Sequence, residues 1–396
     1  MSLLASTCIP IQTPPTSPAP VPKINTPDTN QPSVPEISTP IEQGDTTFEA
    51  NDVSLPSPGF IVEQTRSDPN RTVREYREEY GGPLADTHVH LDPPVSGDIN
   101  EVFLVEMIKS IDSAGVDSII VMPVPNEGIM IMLNNTLGTK QREMLRHLAV
   151  GKIEVNVFYG SEYISNWLHN VYRNGYSESE LNEVLGRLLR EMDDIECSGV
   201  GEIGLYHFNK TGRQNVIEYP PTFEPFLTIV SLVTERGIWL DLHAEPVDPS
   251  GTSYEDQVFG GLELLYRKYP DLKLIMSHTA MTNPKNVRWI LTTYPNVMMN
   301  FKSIGNHNKW RNLEPITNPQ LRLYEDWAQL FEEMPDRFMV GTDEKFGRAR
   351  ERGAEPQISD LARYEEGINT IRKILGSLNP DAAELIAYKN AERVLK

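Results

Sequence analysis

From residue 84 to the C-terminus, short apolar runs alternate with amphipathic stretches. That alternation limits the fold of this chain more than any other feature. The runs are Leu84–His90, Asp117–Val124, Lys152–Tyr159, Gly199–Tyr206, Ile238–Glu245, Lys273–Thr279, Asn296–Lys302 and Arg337–Asp343, eight in all. They are rich in Val, Ile and Met, as expected of parallel strands covered on both faces. The stretches between them carry helical spacing. Leu181, Val184, Leu185, Leu188, Leu189, Met192 and Ile195 form one apolar stripe, and Tyr324, Trp327, Leu330, Phe331 and Met334 another. Ser359-Asp360 predicts the cap of a helix carrying Ile368, Ile371 and Leu375. Pro380 falls in the first turn of a closing helix through PDAAELIAYKNAERVLK. Eight strands, each followed by a helix, predict an α/β chain whose parallel sheet closes into a (β/α)8 TIM barrel over 84–396. An open doubly wound sheet is the alternative, but no Gly-rich phosphate loop follows the first strand.

Upstream of the barrel the pattern stops. Residues 1–60 are a Pro/Thr/Ser-rich segment with scattered apolar residues, which cannot bury enough surface to offset its ordering entropy. They read as a disordered tether. Residues 61–83 are transitional, and RTVREYREEYGG is expected to form a short polar helix. The leading Leu3-Leu4-Ala5-Ser6-Thr7-Cys8 resembles the end of a bacterial lipoprotein signal lacking its basic and most of its apolar region. A lipid on Cys8 would place the chain at the cell envelope; an incidental cysteine there leaves a cytoplasmic reading. No apolar run approaches the roughly 18 residues of a membrane span. With only two cysteines, Cys8 and Cys197, a disulfide framework is excluded. The chain has 36 Lys+Arg against 56 Asp+Glu, a formal charge of −20. Such a surface repels phosphate backbones, so nucleic acid is not the expected partner and a small-molecule substrate is.

In a (β/α)8 barrel the active site lies at the C-terminal ends of the strands, so the residues that end each run carry the functional information. The first run ends in DTHVH, where His88 and His90 point to one side about 6.5 Å apart and can converge on one ion. Glu202 interrupts the apolar run GVGEIGLYH, and a charge in a parallel core strand is costly unless paired or coordinated. His243, His278 and Asp343 close three later runs. Each alone reads as an ordinary hydrogen-bonding residue at a strand end. Six ligand-type residues at one rim predict a metal centre, and His, Asp and Glu without Cys favour zinc, manganese or iron, as one ion or two. Tyr206, His207, Lys302, Lys345 and Arg348, together with Lys210, Asn306 and His307, follow strands on loops that would meet substrate; the alternative is a solvated loop residue in each case. His147 and His169 read as surface residues, and Trp167, Trp239, Trp310 and Trp327 as packing.

This set, in this order, resembles the amidohydrolase superfamily of metal-dependent (β/α)8 hydrolases over about residues 84–396. The resemblance is carried by DTHVHL at the first strand, the single histidines closing the fifth and sixth, GTD at the eighth and the closing KNAERVL. GEIGL looks like the TatD-like branch, while IAYKNAERVL also fits the broader amidohydrolase-2 group, which includes decarboxylases. The resemblance implies that His88 and His90 hold one metal with Asp343, that Glu202 bridges, and that His243 and His278 hold a second. It also implies Asp343 as general base and His278 as a catalytic residue, meeting substrate or water in single-metal members. The expected activity is hydrolysis of an amide, ester, lactone or phosphoester by metal-activated water. A mononuclear decarboxylase on His88, His90, His243 and Asp343 is the enzymatic alternative, and a non-catalytic tethered barrel is the other.

Overall fold

The computed structural model describes residues 71–93, 97–125, 136–193, 197–208, 216–302, 315–346 and 356–395. The tether with Cys8, the first part of the transitional segment, and Lys210, Asn306, His307, Trp310 and Arg348 lie outside the described residues.

The apolar runs form β1 (Ala85–His90), β2 (Ser118–Met122), β3 (Glu154–Gly160), β4 (Cys197–His207), β6 (Trp239–Ala244), β7 (Lys273–Met276), β8 (Val297–Phe301) and β9 (Phe338–Val340), with a two-residue β5 (Ile217–Glu218) hairpinned onto β4 and a two-residue β10 (Glu344–Lys345) after β9. The strands run parallel in the order β1-β2-β3-β4-β6-β7-β8-β9. β9 pairs with β8 and β10 pairs in parallel with β1, so the last strand joins both edges and closes the barrel. Between its two halves the chain breaks at Gly341-Thr342-Asp343. A Cβ on Gly341 would lie 2.7 Å from the His88 Cβ, so only glycine lets the strand pass this close to β1. Asp343 follows with φ 56°, its N–H donating to the His88 carbonyl at 2.9 Å. The break therefore turns the Asp343 side chain towards the histidines.

Helices follow the strands in the expected alternation, including α4 (Glu178–Met192), whose predicted stripe buries Val184, Leu188 and Met192, and α8 (Glu325–Glu333), which buries Trp327, Leu330 and Phe331. The main core lies between the sheet and this helical layer. A second, smaller core of Ala85, Ile120, Met122, Phe158, Ile275, Met298 and Met339 includes Ala391 and Val394 of the closing helix. That helix begins at Pro380 as expected. Its Asn390 donates to the Phe338 carbonyl at 2.7 Å, which places it against the N-terminal ends of the strands, opposite the metal-ligand candidates. Among the described residues no helix is long and apolar enough to cross a membrane.

Four local expectations need correction. Residues 71–82 are not helical. Arg71 and Arg74 instead reach Asp326, Glu325 and Glu332 of α8, and Val73 makes a β-bridge with Tyr324, because an isolated polar helix has no apolar face to bury. The sixth barrel strand stops at Met276, and His278–Met281 form a tight turn with all four φ values between 51° and 57°. The helix carrying Ile368 is entered through a short turn, Ile358–Leu361, capped by Gln357 and Asp360 and not by Ser359. His169 is also not a plain surface residue, since its Nδ1 accepts the Glu218 N–H at 3.0 Å and fixes β5.

Candidate metal centre

The histidines of β1 are fully buried, with their Nε2 atoms 3.1 Å apart. His90 Nε2 lies 3.1 Å from Asp343 Oδ1, and the Glu202 oxygens lie 3.5 Å from His88 Nε2 and 3.5 Å from His90 Nε2. Ligand atoms about 2.1 Å from one divalent ion, in tetrahedral or octahedral array, stand about 3.0–3.4 Å from each other. These four contacts fall within or just above that range, and the donor set of imidazole and carboxylate suits a divalent transition ion.

Glu202, nearly fully buried, faces a second group through the same Oε1. His243 Nδ1 lies 2.7 Å away and His278 Nε2 3.4 Å away. His278 Nε2 is also 3.9 Å from Asp343 Oδ2. The six residues singled out from strand ends are therefore gathered around one carboxylate, in two overlapping sets.

A ring of polar groups holds these side chains. His88 Nδ1 is met by Asn300 Nδ2 at 3.2 Å, Ser277 Oγ at 3.3 Å and Asp241 at 3.5 Å. Asn300 also accepts the His278 N–H at 2.9 Å, so one side chain of β8 ties two of the histidines. Asp86 accepts from the Thr342 N–H at 2.9 Å and the Thr342 hydroxyl at 2.6 Å, fixing the break that carries Asp343. Glu245, fully buried, lies 3.0 Å from His243 Nε2, and His207 stacks on His243 with ring centroids 4.2 Å apart. Asp86, Asp241, Glu245, Asn300 and Ser277 were missed from the sequence. The signal was present for Asp241, an acidic residue inside the apolar run IWLDLH, the same cue that drew attention to Glu202.

The electrostatics divide these groups. Burial would lower His88, but the charge of Glu202 and the hydrogen bond to Asp241 reverse this and raise it to about 10. Burial and the charge of Lys345 lower His90 to about 4. The 3.1 Å contact between the two ring nitrogens is a hydrogen bond where one carries the hydrogen and the other presents a lone pair. Burial alone would raise Asp343, yet the flanking Lys302 and Lys345 hold it well below the ordinary carboxylate range. Glu202 is held low in the same way, against burial, by His243 and His88. Asp86 is pushed up to about 6 by burial, against its hydrogen bonds from Thr342.

Of the residues expected to meet substrate, Lys302 and Lys345 converge on Asp343, and His207 supports His243 as described. Tyr206 does not join the ring. It is buried in the hydrophobic cluster against Tyr254, because its side chain leaves the strand on the face that packs into the main core.

Residues 213–396 match the amidohydrolase family model. A dihydroorotase from Campylobacter jejuni is 15% identical, with 81% of this chain and 85% of that one covered and a TM-score of 0.45. A 2,6-dihydroxybenzoate decarboxylase solved with 2,6-dihydroxybenzoate is 12% identical, with 79% and 99% covered and a TM-score of 0.45. A 4-oxalomesaconate hydratase from Rhodopseudomonas palustris is 13% identical, with 79% and 95% covered and a TM-score of 0.46. No curated protein sequence matches. The resemblance to the amidohydrolase superfamily read from the strand ends is borne out by the family match, on the part of the chain that carries His243, His278 and Asp343.

Proposed function

We propose that this protein is a metal-dependent hydrolase of the amidohydrolase superfamily, cleaving an amide, ester, lactone or phosphoester bond in a small molecule. One observation carries the reading: His88 Nε2, His90 Nε2, Asp343 Oδ1 and the two Glu202 oxygens are linked by successive contacts of 3.1–3.5 Å in a buried cluster. In this reading His88, His90 and Asp343 hold one ion, His243 and His278 a second, and Glu202 lies between. Zinc is the first choice, with manganese or iron as alternatives. The GEIGL strand that presents Glu202 inclines the reading to the TatD-like branch.

A divalent ion, when bound here, would supply Lewis acidity and lower the pKa of water towards neutrality. The chain's own residues do the rest. Asp343 accepts the proton of the attacking water and passes it to the leaving group. Lys302 and Lys345 each donate to its carboxylate at 2.6 Å and fix its orientation. His278, across from Asp343, orients substrate or water.

The same lysines favour a second reading. A carboxylate that accepts from two ammonium groups at 2.6 Å is a poor proton acceptor, and a decarboxylase, with one ion on His88, His90, His243 and Asp343, needs instead a proton delivered to the carbon that loses CO2, which those ammonium groups can supply. The test is metal analysis of protein purified without chelator, followed by a panel of lactones, amides and phosphoesters with His88→Ala as control. We expect bound transition metal, hydrolysis abolished by chelation, and a loss of about 100-fold or more in His88→Ala, the scale of removing a metal's charge stabilisation. Hydrolysis that survives that substitution overturns the reading; loss of CO2 from a carboxylic acid without hydrolysis selects the decarboxylase.

A further inference from the structure

Lys302 follows the last residue of β8, and Lys345 ends β10. Their ammonium groups lie on either side of one carboxylate, Lys302 Nζ 2.6 Å from Asp343 Oδ2 and Lys345 Nζ 2.6 Å from Asp343 Oδ1. Both side chains are largely buried, at 18% and 21% exposure, and Asp343 between them at 16%. Each ammonium has three N–H donors. Asp343 takes one from each, and among the described residues no other group accepts the remainder. Two ammonium groups thus share one carboxylate at the rim of the candidate metal centre, with the charges of Glu202 and Asp92 also acting on Lys345. A half-dry cation beside a divalent ion is repelled by it, so a further anion seated on the unused ammonium donors lowers the local positive charge. Lysine suits the task as a compact charge with rotatable donors.

We propose that Lys302 and Lys345 form an anion clamp beside the metal centre, and that the substrate carries a carboxylate or phosphate group that seats on it. The inference rests on the proposed reading of the site as a metal-dependent active site, and it narrows the substrate from any hydrolysable bond to one borne by an acid. Seating that group places the rest of the molecule over His88, His90 and Asp343.

The test is calorimetric titration of the zinc-loaded full chain with succinate, inorganic phosphate and, as the neutral counterpart, succinamide. Wild type, Lys302→Met, Lys345→Met and the two Lys→Arg variants are compared, with metal content measured in each. We expect succinate or phosphate to bind wild type, at least tenfold more tightly than succinamide. Either Met variant weakens that binding tenfold or more at unchanged metal content, and the Arg variants retain most of it. The tighter of the two anions identifies the acid group. Binding unchanged in both Met variants, or no preference for the anions over succinamide, overturns the clamp. Loss of metal from the Met variants also overturns it, because the lysines then serve only to hold Asp343. If wild type takes up no zinc, the metal-dependent reading fails on that measurement alone, and the anion titrations of metal-free wild type and variants still decide the clamp.

Discussion

At the scale of single residues, the polar groups behind the histidines govern the site. Glu245 offers the cleanest test. Its Oε1 stands 3.0 Å from His243 Nε2, on the far side of the ring from Glu202. Accepting a hydrogen bond from Nε2–H fixes the tautomer that leaves Nδ1 facing the centre, the role carboxylates play behind metal-binding histidines. Glu245→Leu is expected to lower metal affinity about 10–100-fold. Glu245→Gln, whose amide oxygen still accepts, keeps most of it. Cobalt-substituted protein gives the readout: its visible spectrum shifts in the Leu variant and not in the Gln variant. Equal affinity and spectra in both would show that Glu245 only fills space. The convergence of His88, His90, Glu202, His243, His278 and Asp343 was legible in the sequence because a parallel strand is apolar along its whole length, so a polar residue within it or at its exit stands out. Glu245 was not, since as the last residue of the run Ile238–Glu245 it reads as an acid leaving the strand, and nothing local reveals that its side chain turns back beneath His243. The left-handed turn at His278–Met281 was hidden for a related reason. Non-glycine residues with positive φ carry a backbone cost that only tertiary contacts sustain, here the Asn300 side chain accepting the His278 N–H.

Among elements, β-strand positions followed the sequence closely, while the segment before the barrel did not. RTVREYREEY has helical composition, but tertiary ion pairs override that preference. Arg74 donates to both Glu325 oxygens, at 2.7 and 2.8 Å, and reaches Glu332 at 3.2 Å, so the segment is laid along α8 as an extended strap. The hydrogen bond from Arg74 holds Glu325 below its ordinary 4.5. A carboxyl depressed in the folded state stabilises the fold above its unfolded value, and that contribution is lost as pH falls through the folded value. Arg74→Ala is therefore expected to destabilise the protein at pH 7 by up to about 1 kcal/mol, the ceiling for a partly exposed pair. The difference from wild type is expected in full well above Glu325's ordinary 4.5 and shrinks as pH falls through its lowered folded value, and thermal unfolding of both proteins at pH 7 and across the acid range checks it. A difference that persists in acid would assign the strap's hold to packing, through Arg71 over the Tyr324 ring and the Val73 bridge.

For the molecule as a whole, closure of the sheet separates function from stability along one axis. The candidate centre occupies the C-terminal ends of the strands, while the closing helix seals the other end through Ala391 and Val394 and through Asn390. The eightfold strand count predicted this closure; the division of the last strand into β9 and β10, which supplies Asp343, did not follow from it, because the apolar run FMV and the polar GTDEK read as a strand and its exit. The two ends should respond independently to substitution. Val394→Asp puts an unpaired carboxylate into the small core and is expected to cost about 3 kcal/mol, in the upper range of single substitutions, while leaving metal affinity within twofold of wild type. His88→Ala is expected to do the reverse. It abolishes the gain in melting temperature on adding zinc, which in wild type reflects about 4 kcal/mol at a thousandfold excess over Kd. Melting curves of the three proteins, with zinc and with chelator, separate the two effects. A loss of the zinc-dependent shift in Val394→Asp would mean that the seal and the site are coupled through the barrel interior, and the division of labour between its ends would have to be abandoned.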